Sequence, residues 1–208
     1  MHLIYAFGRR MRTRIRELSQ SAGNLTTEVL IQIGRLRLLA WDASRERLIQ
    51  ARTASEVWLD EHDQHAAHFI IENDERLIAA ARLCFHDEGE SLPDEGTLRK
   101  FRSQILWPAA FFNRLVVHPH WRGQGISRYM DRFRLIRAHE AKMRCVVVTS
   151  HGTRNAQLAA QGFMHLGFSR VRELDSEPTL VSMRCFSKRA NFDYADRGRR
   201  ARLARCKT

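Results

Sequence analysis

Helical spacing of apolar residues dominates the first part of the chain. In residues 24–44, NLTTEVLIQIGRLRLLAWDAS, apolar side chains recur at intervals of three to four. Thr26 or Thr27 can cap such a helix, and Glu28 lies in its first turn, where the helix dipole favours a negative charge. We therefore predict a helix over this stretch and a second helix within residues 44–58.

The middle of the chain changes to β-rich runs. AAHFIIE (66–72) and RLIAAARLCF (76–85) are separated by the turn-forming NDE, which predicts an antiparallel hairpin. Residues 87–97 combine acids with glycine and proline and predict a polar loop, followed by a short helix over 97–106. The apolar run AAFFNRLVV (109–117) predicts a buried strand.

The second half alternates helices and strands. After residue 125, apolar residues again recur at three and four positions, which predicts a helix packed on a sheet through Ile126, Tyr129, Met130, Phe133 and Ile136. RCVVVT (144–149) is continuously apolar, so we predict a strand buried on both faces. RNAQLAAQGFMHL (154–166) predicts a helix that ends at Gly167, and 168–174 and 179–188 predict a closing pair of strands.

This order of elements predicts an α/β (α+β) fold with helices on the faces of a sheet. The length of 208 residues fits one domain with extensions. We assign residues 25–187 to the domain and residues 1–24 to a basic N-terminal extension. Residues 188–208 lack apolar periodicity, and we predict a basic, flexible C-terminal tail.

The net charge of +12 is distributed unevenly. Residues 1–20 contain five arginines and one acid, and residues 188–208 contain eight bases and two acids. Within the domain, residues 60–96 contain eleven acids and two bases, whereas residues 97–170 contain thirteen bases and two acids. We therefore expect an anionic ligand to bind the second half of the domain.

Cysteine spacing and hydropathy indicate a cytoplasmic protein. The four cysteines lie far apart without a CxxC pair, which fits a reducing compartment and argues against disulfides and a cysteine zinc site. No run reaches the roughly 18 apolar residues of a membrane span. His62, His65 and His68 are spaced by three, but no further ligand cluster completes a site, so we predict no bound metal.

The stretch HPHWRGQGIS (118–127) joins the predicted strand 109–117 to the helix that begins near Ile126. The first amides of a helix have no intrahelical partner, and the dipole makes that end positive. Gly123 and Gly125 allow unusual backbone angles and a close approach of a bulky anion, and Arg122 adds a planar set of donors. The combination predicts a binding site for a phosphate or pyrophosphate.

Two common phosphate motifs do not fit this stretch. A Walker loop requires lysine followed by serine or threonine, and GQGIS contains no lysine. A dinucleotide fingerprint requires a third glycine at the position of Arg128.

The sequence RLVVHPHWRGQGIS resembles the acyl-CoA-binding motif of the GCN5-related N-acetyltransferase (GNAT) superfamily, Arg/Gln-x-x-Gly-x-Gly/Ala after a strand. Arg122, Gly125 and Ser127 occupy its three defined positions, and Ser127 departs from Gly/Ala while remaining small. NAQLAAQGFMHLGF resembles a later helix of the family, with Gly167 and Phe168 at its ending and Asn155 one residue off the usual register. The resemblance covers about residues 25–187.

The resemblance implies a mixed, largely antiparallel sheet whose two middle strands splay apart. It implies that the cosubstrate is acetyl-CoA or another acyl-CoA, that pantetheine pairs with backbone near residues 115–117, and that the pyrophosphate lies on amides of residues 122–127. An amine then attacks the thioester directly, without an acyl-enzyme. The implied acyl-CoA site consists of Leu115, Val116, Val117, Arg122, Gly123, Gln124, Gly125, Ile126, Ser127, Asn155 and Phe163.

The two proton-handling residues usual in the family are replaced. The family's tyrosine, a general acid, corresponds to Phe163, and the glutamate that some members use as a base corresponds to a position near Phe111. His151 follows the strand 144–149 where the splayed strands open, so we assign it as the candidate catalytic residue. A polar loop histidine and a water relay are the alternatives. Arg82 and Asn113 are candidates for binding the acceptor.

Two other functions stay open. WLDEHDQHAAH and AAARL are similar to the acyl-homoserine-lactone and N-acyl-amino-acid synthase branch of this fold, whose members take long acyl chains from acyl carrier protein, and an acidic carrier suits a basic surface. The second open function is that of a non-enzymatic module, which binds coenzyme A or uses its basic ends to bind nucleic acid. The sequence identifies neither the amine acceptor nor the acyl-chain length, and it leaves the oligomeric state open, a homodimer included.

Overall fold

The computed structural model describes residues 4–6, 9–11, 14–42, 57–73, 76–169 and 179–186. Its helices are α1 (Thr27–Asp42), α2 (Glu95–Leu98), α3 (Ile126–Glu140) and α4 (Thr153–Ala159). Its strands are β1 (Ile4–Ala6), β2 (Arg9–Met11), β3 (Ile15–Leu18), β4 (Ala67–Asn73), β5 (Arg76–His86), β6 (Ala109–Val117), β7 (Cys145–Ser150), β8 (Met164–Ser169) and β9 (Thr179–Cys185). Short 3₁₀ helices cover Glu61–Asp63, Arg99–Gln104 and Pro119–Trp121. Most of the helix predicted within 44–58, and the tail predicted over 188–208, lie outside the described residues.

Seven strands form one sheet in the order β3-β4-β5-β6-β7-β9-β8. Neighbouring strands are antiparallel except for β6 and β7, which run parallel. β1 and β2 pair separately as a two-stranded ribbon. The predicted mixed, largely antiparallel sheet is thus confirmed, as are the hairpin of β4 and β5 and the strand over 109–117.

The two parallel strands part halfway along their length. Their paired residues run from Ala109 opposite Cys145 to Phe112 opposite Val148, although β6 continues to Val117 and β7 to Ser150. Beyond this point β6 stays paired with β5 at Asn113, Val116 and Val117, and β7 stays paired with β9 through Ser150. A gap therefore opens between the ends of β6 and β7, as the predicted splay requires.

A β-bulge bends β6 at the start of this gap. The register between β5 and β6 shifts between Ala80 and Arg82, and Arg114 has a left-handed backbone conformation with φ +52°. The bulge turns two consecutive side chains toward the same group of residues. Asn113 accepts a hydrogen bond from Arg82 at 2.8 Å, and Arg114 donates to Asp60 at 2.8 Å.

Helices cover both faces of the sheet, as predicted. The α3 face carries α3 and α4 and includes Phe112 and Val148. The opposite α1 face carries α1 and α2 and includes Phe111 and Val147. Successive strand residues point to opposite faces, so these neighbouring pairs on β6 and β7 divide the core into two layers.

The predicted cap of α1 is confirmed. The amide of Val29 donates to the hydroxyl of Thr26 at 3.3 Å, and the amide of Leu30 donates to the Thr26 carbonyl at 3.1 Å. Thr26 thus satisfies donors of the first turn that have no intrahelical partner.

The predicted stripe of α3 packs on the sheet. Ile126 and Met130 are fully buried, and Tyr129 and Phe133 are partly buried and pack against the same core, while Ile136 is partly buried. The buried residues of α3 also include Asp131, Arg134 and Leu135, which the stripe did not predict. The two charged side chains tolerate burial because they pair with each other at 2.5 Å.

The helix predicted over 154–166 is corrected. α4 ends at Ala159, and a turn through Gly162, whose φ is +83°, leads into β8 at Met164. A glycine with positive φ is a common helix terminator, and here it is Gly162 rather than Gly167 that follows the helix. The closing strand predicted over 168–174 accordingly occupies residues 164–169 in β8.

Two further elements differ from the prediction. β3 pairs with β4 at the edge of the sheet, so part of the segment predicted as an N-terminal extension belongs to the sheet. The short helix predicted over 97–106 begins earlier, as α2, and continues as a 3₁₀ helix to Gln104.

Candidate functional site

A cleft of about 900 Å³ opens where β6 and β7 part. Its walls come from the ends of these strands, the loop before α3, α1 and the loop before α2. Ten of the residues predicted from the sequence line it: Asn113, Leu115, Val116, Val117, Arg122, Gly123, Gly125, Ile126, Ser127 and His151. These ten residues form part of the wall of the cavity.

The loop before α3 has the backbone that an anion site requires. Gly123 and Gly125 have φ of +77° and +76°, and a Cβ atom at either position would meet no atom within 4 Å. The amide of Tyr129 donates to the carbonyl of Gly125 at 3.0 Å, which begins the helical hydrogen-bond ladder. The helix amides before it, Ile126–Arg128, have no carbonyl one turn earlier within the helix. The positive end of the α3 dipole thus lies at the cleft.

Arg122 is bound to the main chain at the end of β6 and near the end of α1. Its Nε donates to the carbonyl of Val117 at 3.2 Å, and its Nη2 donates to the carbonyl of Ala40 near the end of α1. The sequence predicted the charge of this arginine but not its anchoring. Arg122 therefore shapes the loop as well as adding positive charge.

Arginine dominates the charge of the cleft. Six arginines line it, namely Arg37, Arg114, Arg122, Arg128, Arg134 and Arg154. Among the lining residues in the described ranges, Asp94 alone carries a carboxylate. Four of the six pair with Asp60, Asp63 or Asp131, so Arg122, Arg128 and the positive end of α3 are what favours an anionic ligand in the cleft.

Asp60 and Asp63 lie beneath the cleft and form ion pairs with arginines in and behind its wall. Arg37 donates two hydrogen bonds of 2.8 Å to the carboxylate of Asp63, and both side chains are at most 2% exposed. Arg82 lies 3.0 Å from Asp63 and also pairs with Asp60. Burial by itself would raise the pKa of Asp63, but hydrogen bonding to Arg37 and the charges of Arg37 and Arg82 hold it well below its ordinary value.

Arg82 is therefore a supporting residue and not part of the cleft surface. Its side chain is 1% exposed, and its Nε donates to Oδ1 of Asn113, which does line the cleft. The sequence placed both residues at the acceptor site. The structure brings only Asn113 to the surface of the cavity, because the charges of Asp60 and Asp63 hold Arg82 in the core.

Arg114 forms the neighbouring part of the wall. Its guanidinium donates to Asp60 at 2.8 and 3.1 Å and lies 4.4 Å from the centre of the Trp58 ring. Both contacts fix the long side chain against the α1 face. Trp58 and Arg114 were not predicted as site residues, since their approach depends on the bulge in β6.

Arg134 contributes a buried positive charge to the opposite wall. It donates to Asp131 at 2.5 Å and to the carbonyl of Arg82 at 3.0 Å, and its guanidinium lies 4.0 Å from the centre of the Phe112 ring. Burial lowers the pKa of Arg134 to about 10, so it stays protonated at neutral pH. The i,i+3 spacing of Asp131 and Arg134 is the sequence signal that identifies such a pair.

His151 lies at the open end of β7. Its Nε2 is 3.2 Å from the hydroxyl of Thr179, and both residues line the cleft. Asn155, on the following helix, accepts a hydrogen bond from the hydroxyl of Ser150 at 2.6 Å and does not line the cavity. The structure thus brings His151, but not Asn155, to the site.

Phe163 lies behind the floor of the cleft. It follows the turn after α4, is 3% exposed, and its ring centre is 6.0 Å from that of Phe112. Gln124, at the tip of the glycine loop, is likewise outside the cavity lining. Phe163 therefore reaches the site only through Phe112.

Asp94 and Thr97 line the cleft from the α1 face and were not identified from the sequence. Asp94 has a left-handed backbone with φ +58°, and its carboxylate accepts a hydrogen bond from the hydroxyl of Thr149 at 3.3 Å. Both residues belong to or border the stretch predicted as a polar loop. Only the fold places that loop against the end of β7.

The described residues show neither a metal-binding cluster nor a helix suited to a membrane span. Within the described ranges, no group of three or more histidine, cysteine, aspartate or glutamate side chains is arranged to hold a metal ion. Among the helices described there, none has the length and apolar character needed to cross a membrane.

The comparison with solved structures identifies similar folds. The structure resembles an acyl-CoA N-acyltransferase from Pseudomonas aeruginosa, with 18% identity, 83% of this chain and 99% of that chain covered, and a TM-score of 0.57. It also resembles an N-acyl amino acid synthase from uncultured soil microbes (13% identity, 84% and 91% covered, TM-score 0.59). A coenzyme A-dependent acyl-homoserine lactone synthase, solved with SAM and isopentyl-CoA, is similar as well (16% identity, 85% and 84% covered, TM-score 0.63).

The comparison with family models agrees with the fold. Curated proteins give no significant sequence match. The model of the Acetyltransferase (GNAT) family matches residues 35–168, which is well over half of the chain and includes the glycine loop and the parting strands. The chain therefore belongs to the GNAT family of acyltransferases, which use acyl-CoA as cosubstrate.

Proposed function

We propose that this enzyme transfers an acyl group from acyl-CoA to the amine of an acceptor by direct attack on the thioester. The observation that carries the proposal is the arginine-lined cleft at the parting of β6 and β7, which has the glycine loop and the N-terminus of α3 in its wall. A helix N-terminus preceded by such a loop suits a pyrophosphate. Free backbone at the end of β6 suits an extended pantetheine arm.

We assign the binding site of the acyl-CoA donor to residues from the end of β6 to the start of α3. In this proposal the main chain of Leu115, Val116 and Val117 pairs with pantetheine, and the amides of residues 123–127 hold the phosphates. Arg122 supplies charge and keeps the loop in place through the carbonyls of Val117 and Ala40. The thioester then lies near Phe112, where the two strands separate.

Positioning is the main catalytic contribution that such a cleft offers. Holding the amine next to the thioester carbonyl replaces a bimolecular encounter by a reaction within one complex. The amine forms the new C–N bond as the C–S bond breaks, and coenzyme A leaves as a thiolate. His151, beside Thr179 at the end of β7, is our candidate for moving a proton during these steps.

The donor assignment is tested by binding of acetyl-CoA, decanoyl-CoA and free coenzyme A, measured by calorimetry. We expect Arg122→Ala to weaken binding about 10- to 100-fold, the loss of a charge-assisted contact of about 1.5–3 kcal/mol. Arg99→Ala removes the same charge from an exposed position outside the cleft and should leave affinity unchanged. Equal affinities for both variants and wild type contradict the proposed site.

One observation favours a second candidate, a synthase that joins a long acyl chain to an amine bearing a carboxylate. Arg114 lines the cleft beside Trp58 with 21% of its side chain exposed, whereas Arg37 is buried against Asp63. A guanidinium that is partly exposed in the cleft suits a carboxylate. Two of the similar folds belong to an N-acyl amino acid synthase and an acyl-homoserine lactone synthase.

The two candidates differ in donor and acceptor preference. Product formation is measured by mass spectrometry with acetyl-CoA and decanoyl-CoA, each combined with phenylalanine or phenylalaninamide. The second candidate predicts a preference for decanoyl-CoA and for phenylalanine over its amide. A preference for acetyl-CoA with no discrimination between the two acceptors supports simple N-acetylation instead.

A further inference from the structure

The carboxylate of Asp94 is the feature of the cleft that the proposed donor site does not use. Six arginines line the cavity, and Asp94 is the sole lining residue in the described ranges with a negative charge. A polyanionic donor gains nothing from this group, since like charges repel. Its place in the cleft therefore points to the other substrate.

Asp94 lies where the two strands separate. The last paired residues of β6 and β7 are Phe112 and Val148, and the next residue of β7, Thr149, donates its hydroxyl hydrogen bond to Asp94. Val148 belongs to the α3 face, so Thr149 points toward the α1 face. The carboxylate thus borders the gap on the side opposite the helix that begins at the glycine loop.

The backbone holds this residue firmly while leaving its side chain available. The carbonyl of Asp94 accepts hydrogen bonds from the amides of Thr97 and Leu98 at 2.8 and 3.1 Å. The neighbouring Leu92 and Pro93 are buried, and the side chain makes no capping bond to α2. The left-handed conformation is unusual for a residue other than glycine. The carboxylate consequently faces Thr149 and the cleft.

From this geometry we infer that Asp94 is a catalytic residue that binds the ammonium group of the acceptor and accepts its proton. The inference rests on the N-acyltransferase function proposed above. An alkylammonium ion, with a pKa near 10, is almost fully protonated at neutral pH and is not a nucleophile. Asp94, the lining residue of the described ranges that carries a carboxylate, attracts this cation to the point where the two strands separate.

The reaction then balances without any further reactant. The ammonium transfers one proton to the carboxylate of Asp94, and the free electron pair of nitrogen attacks the thioester carbon. The C–S bond breaks, its electron pair leaves on sulfur, and the nitrogen of the new amide loses its second proton. One of the two protons ends on the thiolate and the other is released to water, which restores Asp94.

The experiment compares two acceptors of nearly equal shape, ethylamine and methoxyamine, at pH 7 with the acyl-CoA that binds best. Methoxyamine is mostly unprotonated at this pH and does not need the carboxylate. We expect Asp94→Asn to lower kcat/KM for ethylamine about 100-fold, the usual contribution of a positioned base, and to lower it for methoxyamine less than about 3-fold. The ratio of kcat/KM for Asp94→Asn to kcat/KM for wild type is also measured for every amine that the wild type accepts in a panel of primary amines.

Two control variants separate chemistry from loop structure. Glu88→Gln makes the same change at an exposed position of the same loop and should leave both acceptors unaffected. Thr149→Val removes the hydroxyl partner but keeps the carboxylate. The ratio of kcat/KM for ethylamine to kcat/KM for methoxyamine should therefore stay at its wild-type value. Asp94→Asn should retain acyl-CoA affinity, which shows that the donor site is intact.

Three outcomes overturn the inference. An unchanged rate in Asp94→Asn shows that the carboxylate takes no part, and an equal loss with both amines shows a structural role only. If the wild type binds acyl-CoA but acylates no amine of the panel, the proposed N-acyltransferase function itself fails, and the role of Asp94 fails with it.

Discussion

Asp63→Asn tests whether the buried aspartates support the cleft as the structure indicates. Asp63 accepts two hydrogen bonds of 2.8 Å from Arg37, lies 3.0 Å from Arg82 and accepts the amide of Asp60 at 2.8 Å. Asparagine keeps the size of the side chain but removes the charge. It also turns an NH₂ group toward a guanidinium, which has no acceptor to offer.

The expected loss of unfolding free energy is large because Arg37 and Arg82, the partners of Asp63, stay buried. Arg37 is nearly inaccessible, and burial already lowers the pKa of Arg37 against the opposing effect of Asp63. Breaking a buried ion pair by removing one partner costs about 3–5 kcal/mol. For a chain of this length we expect a decrease in Tm of about 6–20 °C.

The assay is urea unfolding followed by circular dichroism, repeated with acyl-CoA bound. Glu17→Gln is the matched control, because Glu17 pairs with Arg137 at 2.8 Å with both side chains more than a third exposed. We expect that control to lose less than about 1 kcal/mol. A loss of the same size in both variants refutes the reasoning, since burial would then make no difference to the pair.

The pH dependence of Asp63→Asn has a defined sign. The pKa of Asp63 is lowered on folding from its ordinary value of 3.8, so its stabilising contribution is complete above that value. The contribution is lost as pH falls toward the lower folded pKa. The difference in unfolding free energy between wild type and Asp63→Asn should therefore be constant from about pH 5 to 8 and shrink only below about pH 4.

Two other predictions concern the donor loop and proton transfer. Gly125→Ala and Gly89→Ala both place a side chain at positive φ in open space, so both should lose about 1 kcal/mol of stability, but only Gly125→Ala should weaken acyl-CoA binding in calorimetry. His151→Ala should lower kcat by about 100-fold with donor affinity retained, whereas Phe163→Tyr should change kcat less than about 3-fold, because Phe163 is buried behind Phe112. Turnover is measured by thiol release, and full activity of His151→Ala excludes that residue as a proton carrier.

The glycine loop was predictable because its signal is local. Gly123 and Gly125 lie within the eight residues between the end of β6 and the start of α3, and their backbone requirements depend on immediate neighbours. The same holds for the cap at Thr26. The end of α4 was not predictable in the same way. Gly162 and Gly167 are both glycines that could end a helix, and the helix ends before Gly162 because residues 164–169 pair with β9 as strand β8.

The buried charges were not predictable because they depend on contacts between distant segments. Arg82 resembles an exposed strand arginine in sequence, but Asp60 and Asp63 lie close to it only after β4 and β5 pair and α1 packs above them. Asp94 is one of eleven acids in an acidic stretch. Its location next to Thr149 results from the packing of α2 on β6 and β7, which no local pattern contains.

The parting of β6 and β7 explains why opposite faces of the sheet contribute different chemistry. The glycine loop leads into α3, so the donor phosphates of our proposal lie on that face, while Asp94 and Trp58 come from the α1 face. Continuous pairing of the strands would close the passage between the two sides. The bulge at Arg114 keeps β6 paired with β5 while it turns Asn113 and Arg114 toward the aspartates of the α1 face. The cleft to which we assign both substrates, and the arrangement of charges along it, are therefore consequences of the same interruption in the sheet.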